Sequence, residues 1–534
     1  MYLPASPAEE AVAAELVSVR PALEPAYTGA LGGARAAVLT RLWRALAFEP
    51  LPWVAGRERG ADGLTLLLAG GGRLEGPLPD AYATTPYVRE VLLDGKPHRQ
   101  AARLMAALGV PHGEGFAAEL DGSTASLALS RAGQPAAGGD GDAGGGAGGN
   151  GYPVRDTDWG TVRGEDPDDP GPRTTREWEQ RVVDGHPYHP NCRSRPGFSV
   201  AEQLAYAPEH RPVVELGLVA VRAEECLVTE GWPAELRDGG RVLVPVHPWQ
   251  AEHVLGHERV RGGFAAHPLM ALRTLAPVAG GAHVKTALST RLTSSVRDIS
   301  GYSIETAAAV SAFAQALSER LDGRLHVTRT LGAVTAHSPD LAAVLREPPE
   351  VYADEAAGER VLPVAALAWF PPARSASWLA EFARLALSVS LRVLELGVAL
   401  EAHGQNLLVV LSASGAPVRL VYRDLADIRI SPARLVRHGL PVPPLSGRLI
   451  TDDVTALRRK LFGSVLTGAL GATAGSAGAF AGAFASAAAG LPATPDTEAL
   501  LTGPLPTKAL TLMRLSPGVP GDQWAELPNP LAGG

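Results

Sequence analysis

LEAHGQNLLVVL, Leu400 to Leu411, passes from charged and polar residues straight into an apolar run. A long helical pattern, Trp378 to Val398, precedes it, and RLVYRDL, Arg419 to Leu425, follows. The pattern predicts a helix that ends at His403-Gly404, with glycine suited to the turn, and a strand that begins at once. That turn would hold Glu401, His403, Gln405 and Asn406 at one strand mouth. Asp424 then stands on the next strand.

An Asn followed by a strand-borne Asp is similar to the metal-binding loops of protein-kinase-like folds, where the two hold Mg²⁺. A kinase also needs an Asp base near the turn, and this chain offers Gln405. Glutamine cannot take a proton from an attacking hydroxyl. The arrangement therefore suggests ATP and Mg²⁺ while arguing against simple phosphoryl transfer to an alcohol.

Working outward, three further stretches concentrate polar residues poorly suited to plain packing. GHPYHPNCRSRPGF, Gly185 to Phe198, holds His186, His189, Arg193 and Arg195. It reads as a metal site, a set of turns, or part of a nucleotide pocket. Proline after histidine favours turns, and no carboxylate stands at a conventional zinc spacing. VPVHPWQ places His247 and Gln250 just past a strand. The stretch Leu272 to Ser300 holds Arg273, Thr274, Lys285, Thr293, Ser294 and Arg297. An isolated Lys or Arg is normally a solvated surface charge. Lys285, however, lies inside an alternating apolar strand, and Arg297 follows a Thr-Ser-Ser run. Cations and hydroxyls grouped this way suit an anionic substrate.

A chain of 534 residues exceeds one hydrophobic core and should divide into two to four units. Net charge −8 gives no support to a nucleic-acid surface. Two cysteines, Cys192 and Cys226, cannot build a disulfide framework or a four-cysteine metal site. The N-terminus shows no basic region followed by an apolar run, so a soluble, cytoplasmic protein without membrane partners is the expectation. No charge falls between Lys460 and Asp496. That length could span a bilayer, but Ala, Gly, Ser and Thr dominate it, and close-packed internal helices are the better reading. Helices are expected within 8–48 and around 100–108 and 115–131, and a hairpin over Gly63 to Leu78. Strands are expected at Arg241 to Val246 and Ala282 to Leu288. AAGGDGDAGGGAGGNG, 136–151, reads as a flexible linker. Boundaries are placed at 1–155, 156–348 and 349–534.

Together the four stretches resemble one family, the NRPS-independent siderophore (NIS) synthetases of the IucA/IucC type. Its GHPxHPxxKxRxGF pattern is met by Gly185 to Phe198, its HPWQ by His247 to Gln250, and its RT, K and TSxxR series by Arg273-Thr274, Lys285, Thr293-Ser294 and Arg297. Its ExHGQN is Glu401 to Asn406, its RD is Arg423-Asp424, and its KALxxMRL is Lys508 to Leu515. Arg193 replaces the usual lysine, and Ala271 a serine. Relatives often carry a C-terminal region similar to a ferric reductase. No cysteine follows Cys226, which excludes a thiolate-held iron–sulfur cluster there.

The resemblance implies an α+β fold shaped as a three-subdomain cupped hand, with mixed or antiparallel sheets and ATP between fingers and palm. It implies that a carboxylate of citrate or a related acid is adenylated and then joined to an amine, hydroxylamine or alcohol. Carried over residue by residue, Lys285, Arg297 and His403 are the catalytic candidates. His186, His189, Arg195, Arg273, Thr274 and Lys285 would bind ATP. Thr293, Ser294, Arg297, His403 and Gln405 would bind the carboxylic acid, and Glu401, Asn406 and Asp424 would hold Mg²⁺. A homodimer is among the assemblies it allows. Two other readings stay open: a kinase-like phosphotransferase releasing ADP, and a non-catalytic binder of siderophore or citrate.

Overall fold

Two helices, Pro7–Val19 and Glu24–Phe48, open the chain on either side of a short turn at Pro21. The Ser6 hydroxyl accepts from the Glu9 amide and caps the first. Leu31, Val38, Leu39, Leu42, Trp43 and Leu46 recur at helical spacing on the second and are fully buried. They pack against the helix Gly113–Ala132 and a five-stranded antiparallel sheet built from Val54–Arg59 to Lys96–His98. Gly76 makes this contact feasible, since a Cβ there would stand 2.7 Å from the Trp43 ring. The Trp43 indole N–H donates to the Pro77 carbonyl at 2.9 Å. The computed structural model describes residues 3–134, 172–256, 260–293 and 295–532. The expected linker at 136–151 lies outside the described residues.

The middle of the chain forms a nine-stranded antiparallel sheet. From one edge its strands run Leu227–Val228, Thr330–Thr335, Ala342–Arg346, His283–Thr286, Thr274–Pro277, Val260–Pro268, Val214–Arg222, Arg241–Val246 and Arg237–Asp238. Val214, Leu216, Val242, Val244 and Leu275 bury one face. Each such side chain contributes roughly 1.5–3 kcal/mol of transfer energy. The opposite face of the central strands carries Thr274, His283, Lys285 and Arg346 beside the apolar Val344.

A four-stranded sheet anchors the C-terminal part, in the order Leu325–Val327, Pro417–Tyr422, Leu407–Leu411 and Arg360–Pro363. The first pair is parallel. Val310, Phe313 and Leu317 of the helix Ala307–Ser318 join this core, together with the long helix Ala376–Leu396. That helix ends earlier than its sequence pattern suggested. Gly397 adopts φ +111°, where a Cβ would press on Ser431 and Arg434 at 3.0 Å, so Gly397 is the glycine that turns the chain. Residues 400–406 are consequently loop. Gly404 serves close approach instead, because a Cβ there would lie 3.1 Å from the Ala365 nitrogen.

The uncharged segment after Lys460 folds inside this unit as Gly463–Leu470, Gly471–Ala474 and Ala477–Ala488. Leu466, Leu470, Phe480 and Phe484 are buried, and Phe480 stacks on Tyr82 at 4.2 Å. Small residues let these helices approach Ala376–Leu396 closely. Among the described residues no helix is long and apolar enough to cross a membrane. The fold is mixed α+β.

Candidate active site

Register places the cations. Thr274 lies opposite Lys285, Lys285 opposite Val344, and His283 opposite Arg346. Because side chains alternate along a strand, Thr274, His283, Lys285 and Arg346 share one face of the sheet. That face lines a cleft of about 3070 Å³. Small-molecule pockets usually measure roughly 300–1,000 Å³, so this one has room for more than one substrate.

Asp424 meets the cations from the end of the strand Pro417–Tyr422, in a left-handed conformation at φ +76°. Its carboxylate accepts from the Lys285 ammonium at 2.8 Å and from Arg346 at 2.8 Å. Burial alone would raise its pKa, but Arg346 and Lys285 hold it well below the usual carboxylate range. Burial, with help from Arg346 and against Asp424, moves the Lys285 ammonium down. Arg273 is brought down to about 10 by burial and by Arg297. One carboxylate thus stands among four cations.

Arg297 rides on the hairpin formed by Leu288–Leu292 and Ser295–Arg297, whose turn puts Thr293 at φ +60°. The guanidinium donates back to the Leu292 carbonyl at 3.0 Å. Arg273 donates to the carbonyls of Arg297 and of Asp298, the latter at 2.7 Å. Ser294 lies outside the described residues. The HPWQ stretch supports the hairpin from behind. Gln250 accepts from the Ser289 amide at 2.7 Å and donates to its hydroxyl at 2.9 Å. Trp249 stacks on Phe198 at 5.0 Å, and Thr290 donates to the Pro196 carbonyl at 2.8 Å. His247 is fully buried, and its Nδ1 accepts from the Trp249 amide at 3.1 Å.

In the His-Pro stretch, His186 Nδ1 accepts from the amides of Tyr188 and His189 at 3.1 and 3.0 Å. His189 Nδ1 accepts from Asn191 at 2.9 Å. Both rings line the cleft. Burial, with Arg297 and Arg41 nearby, drives His189 down to about 3, so it is neutral. With Nδ1 accepting, the proton of each neutral ring sits on Nε2, a donor suited to phosphate oxygens and not a metal-binding lone pair. Arg195 is differently occupied. It pairs with the fully buried Glu209 at 2.6 Å, and Arg193 reaches the same carboxylate and the Val183 carbonyl. Gly185 is required here: at φ +69° a Cβ would stand 2.3 Å from the Cys192 carbonyl oxygen.

The loop 400–406 faces the same cleft. His403 Nδ1 accepts from the Gln405 amide at 3.3 Å, which leaves Nε2–H as its donor. The Gln405 side chain lines the cleft with no hydrogen bond among the described residues. Asn406 Nδ2 donates to the Glu401 carbonyl at 3.2 Å. The Glu401 carboxylate accepts from Lys508 at 2.6 Å and from Lys460 at 3.3 Å. Lys460 also reaches Asp427 at 2.7 Å and Asp522 at 3.4 Å. Carboxylate oxygens of Glu401, Asp427 and Asp522 lie within 4.8 Å of one another.

Sequence reasoning missed Arg346, Lys460, Asp427 and Asp522. Arg346 sits in AAVLR with no motif around it, and only strand pairing brings it beside Lys285. Asp427 had a signal, being three residues past Asp424.

The fold and the site define a class: a mixed α+β protein with a deep cleft whose central wall is lined with cations. Residues 174–369 match the IucA / IucC family, and residues 376–517 match the ferric iron reductase FhuF-like transporter family. It is 25% identical over 325 residues to a 2-[(L-alanin-3-ylcarbamoyl)methyl]-3-(2-aminoethylcarbamoyl)-2-hydroxypropanoate synthase of Staphylococcus aureus, covering 48% of this chain and 52% of that protein. The chain thus spans about half the length of the curated relatives it matches. The petrobactin biosynthesis protein AsbB of Bacillus anthracis superposes with TM-score 0.73 at 18% identity, covering 99% of this chain and 98% of that one. ATP-bound aerobactin synthetase IucA of Klebsiella pneumoniae gives 0.68 at 18% identity, covering 93% and 99%.

Proposed function

We propose that this protein is an ATP-dependent ligase of siderophore biosynthesis. It would adenylate a carboxylate of citrate or a related polycarboxylic acid and join it to an amine, hydroxylamine or alcohol. The observation that carries this reading is the surplus of positive charge around Asp424. Lys285, Arg346, Arg273 and Arg297 converge on it. Bringing a carboxylate to within about 4 Å of a phosphate costs roughly 4 kcal/mol per charge pair at an effective dielectric of about 20. Fixed cations offset that cost, and most where charge builds during reaction. The S. aureus relative supports the product class, since its name describes two carbamoyl arms on a 2-hydroxypropanoate.

In this scheme a carboxylate oxygen attacks the α-phosphorus, pyrophosphate leaves, and the amine then displaces AMP from the acyl-adenylate. Lys285 and Arg297 stabilise the charge at the α-phosphate. The Nε2–H groups of His186 and His189 donate to phosphate oxygens, with Arg273 and Thr274 beside the nucleotide. Thr293, Ser294, Arg297, His403 and Gln405 orient the acid. His403 is neutral in this role, because burial lowers its pKa, and it acts as a hydrogen-bond donor. Arg195, paired with Glu209, would shape the nucleotide pocket from behind.

Glu401, Asn406 and Asp424 offer oxygen donors, the class Mg²⁺ takes. The Asn406 side-chain oxygen Oδ1 makes no hydrogen bond among the described residues, whereas each carboxylate already engages two cations. Arriving phosphates that take over Lys285 and Arg346 would free Asp424 for Mg²⁺ beside Asn406, and Glu401 would join once it leaves Lys460 or Lys508; bound there, the ion would shield phosphate charge. We place the work in a three-subdomain cupped hand, 1–155, 156–348 and 349–534, with citrate-type acids and amines as its small-molecule partners. Incubation with ATP, citrate and hydroxylamine tests the reading. Hydroxamate and pyrophosphate should appear in equal amounts and only when the acid is present; ADP formation, or no ATP dependence, would count against it.

A further inference from the structure

Glu179 belongs to none of the motifs above, yet its side chain is 1% exposed at the edge of the cleft. It projects from the short helix Thr175–Gln180, which a Thr174/Glu177 capping box fixes at its start. Its two oxygens go to different places. Oε2 accepts from the Met270 amide at 2.9 Å, at the head of the loop that leads to Arg273 and Thr274. Oε1 accepts from the Arg423 guanidinium at 2.6 Å. Arg423 in turn donates through Nε to the Gln405 carbonyl at 3.0 Å, in the loop that carries His403.

We propose that Glu179 is a positioning residue: through Met270 on one side and Arg423 and Gln405 on the other, it fixes the spacing between the nucleotide-side loop and the acid-side loop. The proposal rests on the ligase reading for its catalytic consequence. Its physical basis is independent of that reading. A buried carboxylate needs partners for both oxygens, and here those partners come from segments far apart in sequence that face one cleft. Gln180 adds a second tie to the same region, donating to the Pro268 carbonyl at 3.3 Å. Displacing a reacting group by about 1 Å can reduce turnover roughly 10²-fold, so a residue that touches no substrate can still control the rate.

The test uses full-length protein and the variants Glu179→Gln, Glu179→Ala, Arg423→Ala and Glu179→Ala/Arg423→Ala. Hydrogen exchange without substrates is the first readout. In Glu179→Gln, which keeps shape and loses one acceptor, amides of 269–273 and 403–407 should exchange faster together while the core helices stay protected. Acceleration of neither segment or of only one, or equal acceleration everywhere, overturns the proposal whether or not the wild type proves to be a ligase. Kinetics is the second readout. Each single variant should lose roughly 10²-fold in kcat/KM with a raised KM for the carboxylic acid. The double variant should be no worse than Glu179→Ala, because both substitutions break one chain of contacts. Multiplying losses, or a fall in kcat at unchanged KM that tracks the folded fraction, would reduce Glu179 to a stability role.

Discussion

Removing the Arg346 guanidinium separates what the cation wall does for stability from what it does for chemistry. Arg346 lies 2.8 Å from Asp424, and the two side chains are 13% and 26% exposed. Breaking a buried pair so that one charge is stranded costs about 3–5 kcal/mol. Asp424 would not be stranded, because Lys285 remains at 2.8 Å. The expected loss in Arg346→Met is therefore about 1.5–3 kcal/mol, the worth of one hydrogen bond to a charged group. Against a total stability of roughly 5–15 kcal/mol, the variant stays folded. Catalysis should fall much further, by roughly 10²–10³-fold, the usual effect of deleting one preorganised donor facing developing charge. Urea unfolding gives the first quantity, and citrate-dependent exchange of pyrophosphate into ATP the second. Exchange at near wild-type rate in a folded variant would refute the assignment of this wall to the phosphates, as would a loss no larger than the unfolded fraction.

Three further outcomes follow from the same geometry. Burial holds His247 down to about 3, so between pH 6.5 and about 3 the unfolded chain binds a proton that the folded chain does not. Stability should then fall as pH drops through that window, by about 1.4 kcal/mol per pH unit for this residue; His247→Asn, which keeps the cap, should lose that share of the slope in urea melts at stepped pH. Gly185→Ala places a Cβ against the Cys192 carbonyl at a positive φ, and should lower Tm and weaken ATP binding by calorimetry while leaving the core of the nine-stranded sheet protected in hydrogen exchange. Gln405→Asp sets a negative charge before the incoming carboxylate, and should raise KM for the acid more than for ATP; increased activity would instead favour a kinase-like base.

Much of this could be read in the residues themselves. Apolar runs located the helices Glu24–Phe48 and Ala376–Leu396 and the strand Leu407–Leu411, whose five residues are all buried. The helix end was misjudged because two glycines compete: Gly397 takes the left-handed turn, while Gly404 is needed for backbone packing on Ala365. Arg195 was legible as a cation but not as the partner of Glu209, since the sequence gives no sign that the two meet in the interior. Arg346, Lys460 and Asp522 enter the cleft only through long-range pairing, which spacing along one chain does not encode. The resemblance supplied the order of the motifs. Strand register supplied the common wall on which Thr274, Lys285 and Arg346 stand.

The central claim is that a substrate carboxylate attacks the α-phosphorus of ATP, and oxygen tracing tests it most directly. Citrate labelled with ¹⁸O in its carboxylates is turned over with ATP and an amine, and the nucleotide and phosphate products are separated and analysed by mass spectrometry. Attack at the α-phosphorus transfers one carboxylate oxygen to AMP when the amide forms, so AMP should carry one ¹⁸O and pyrophosphate none. Label in inorganic phosphate with ADP as the nucleotide product would place the attack at the γ-phosphorus and contradict the account.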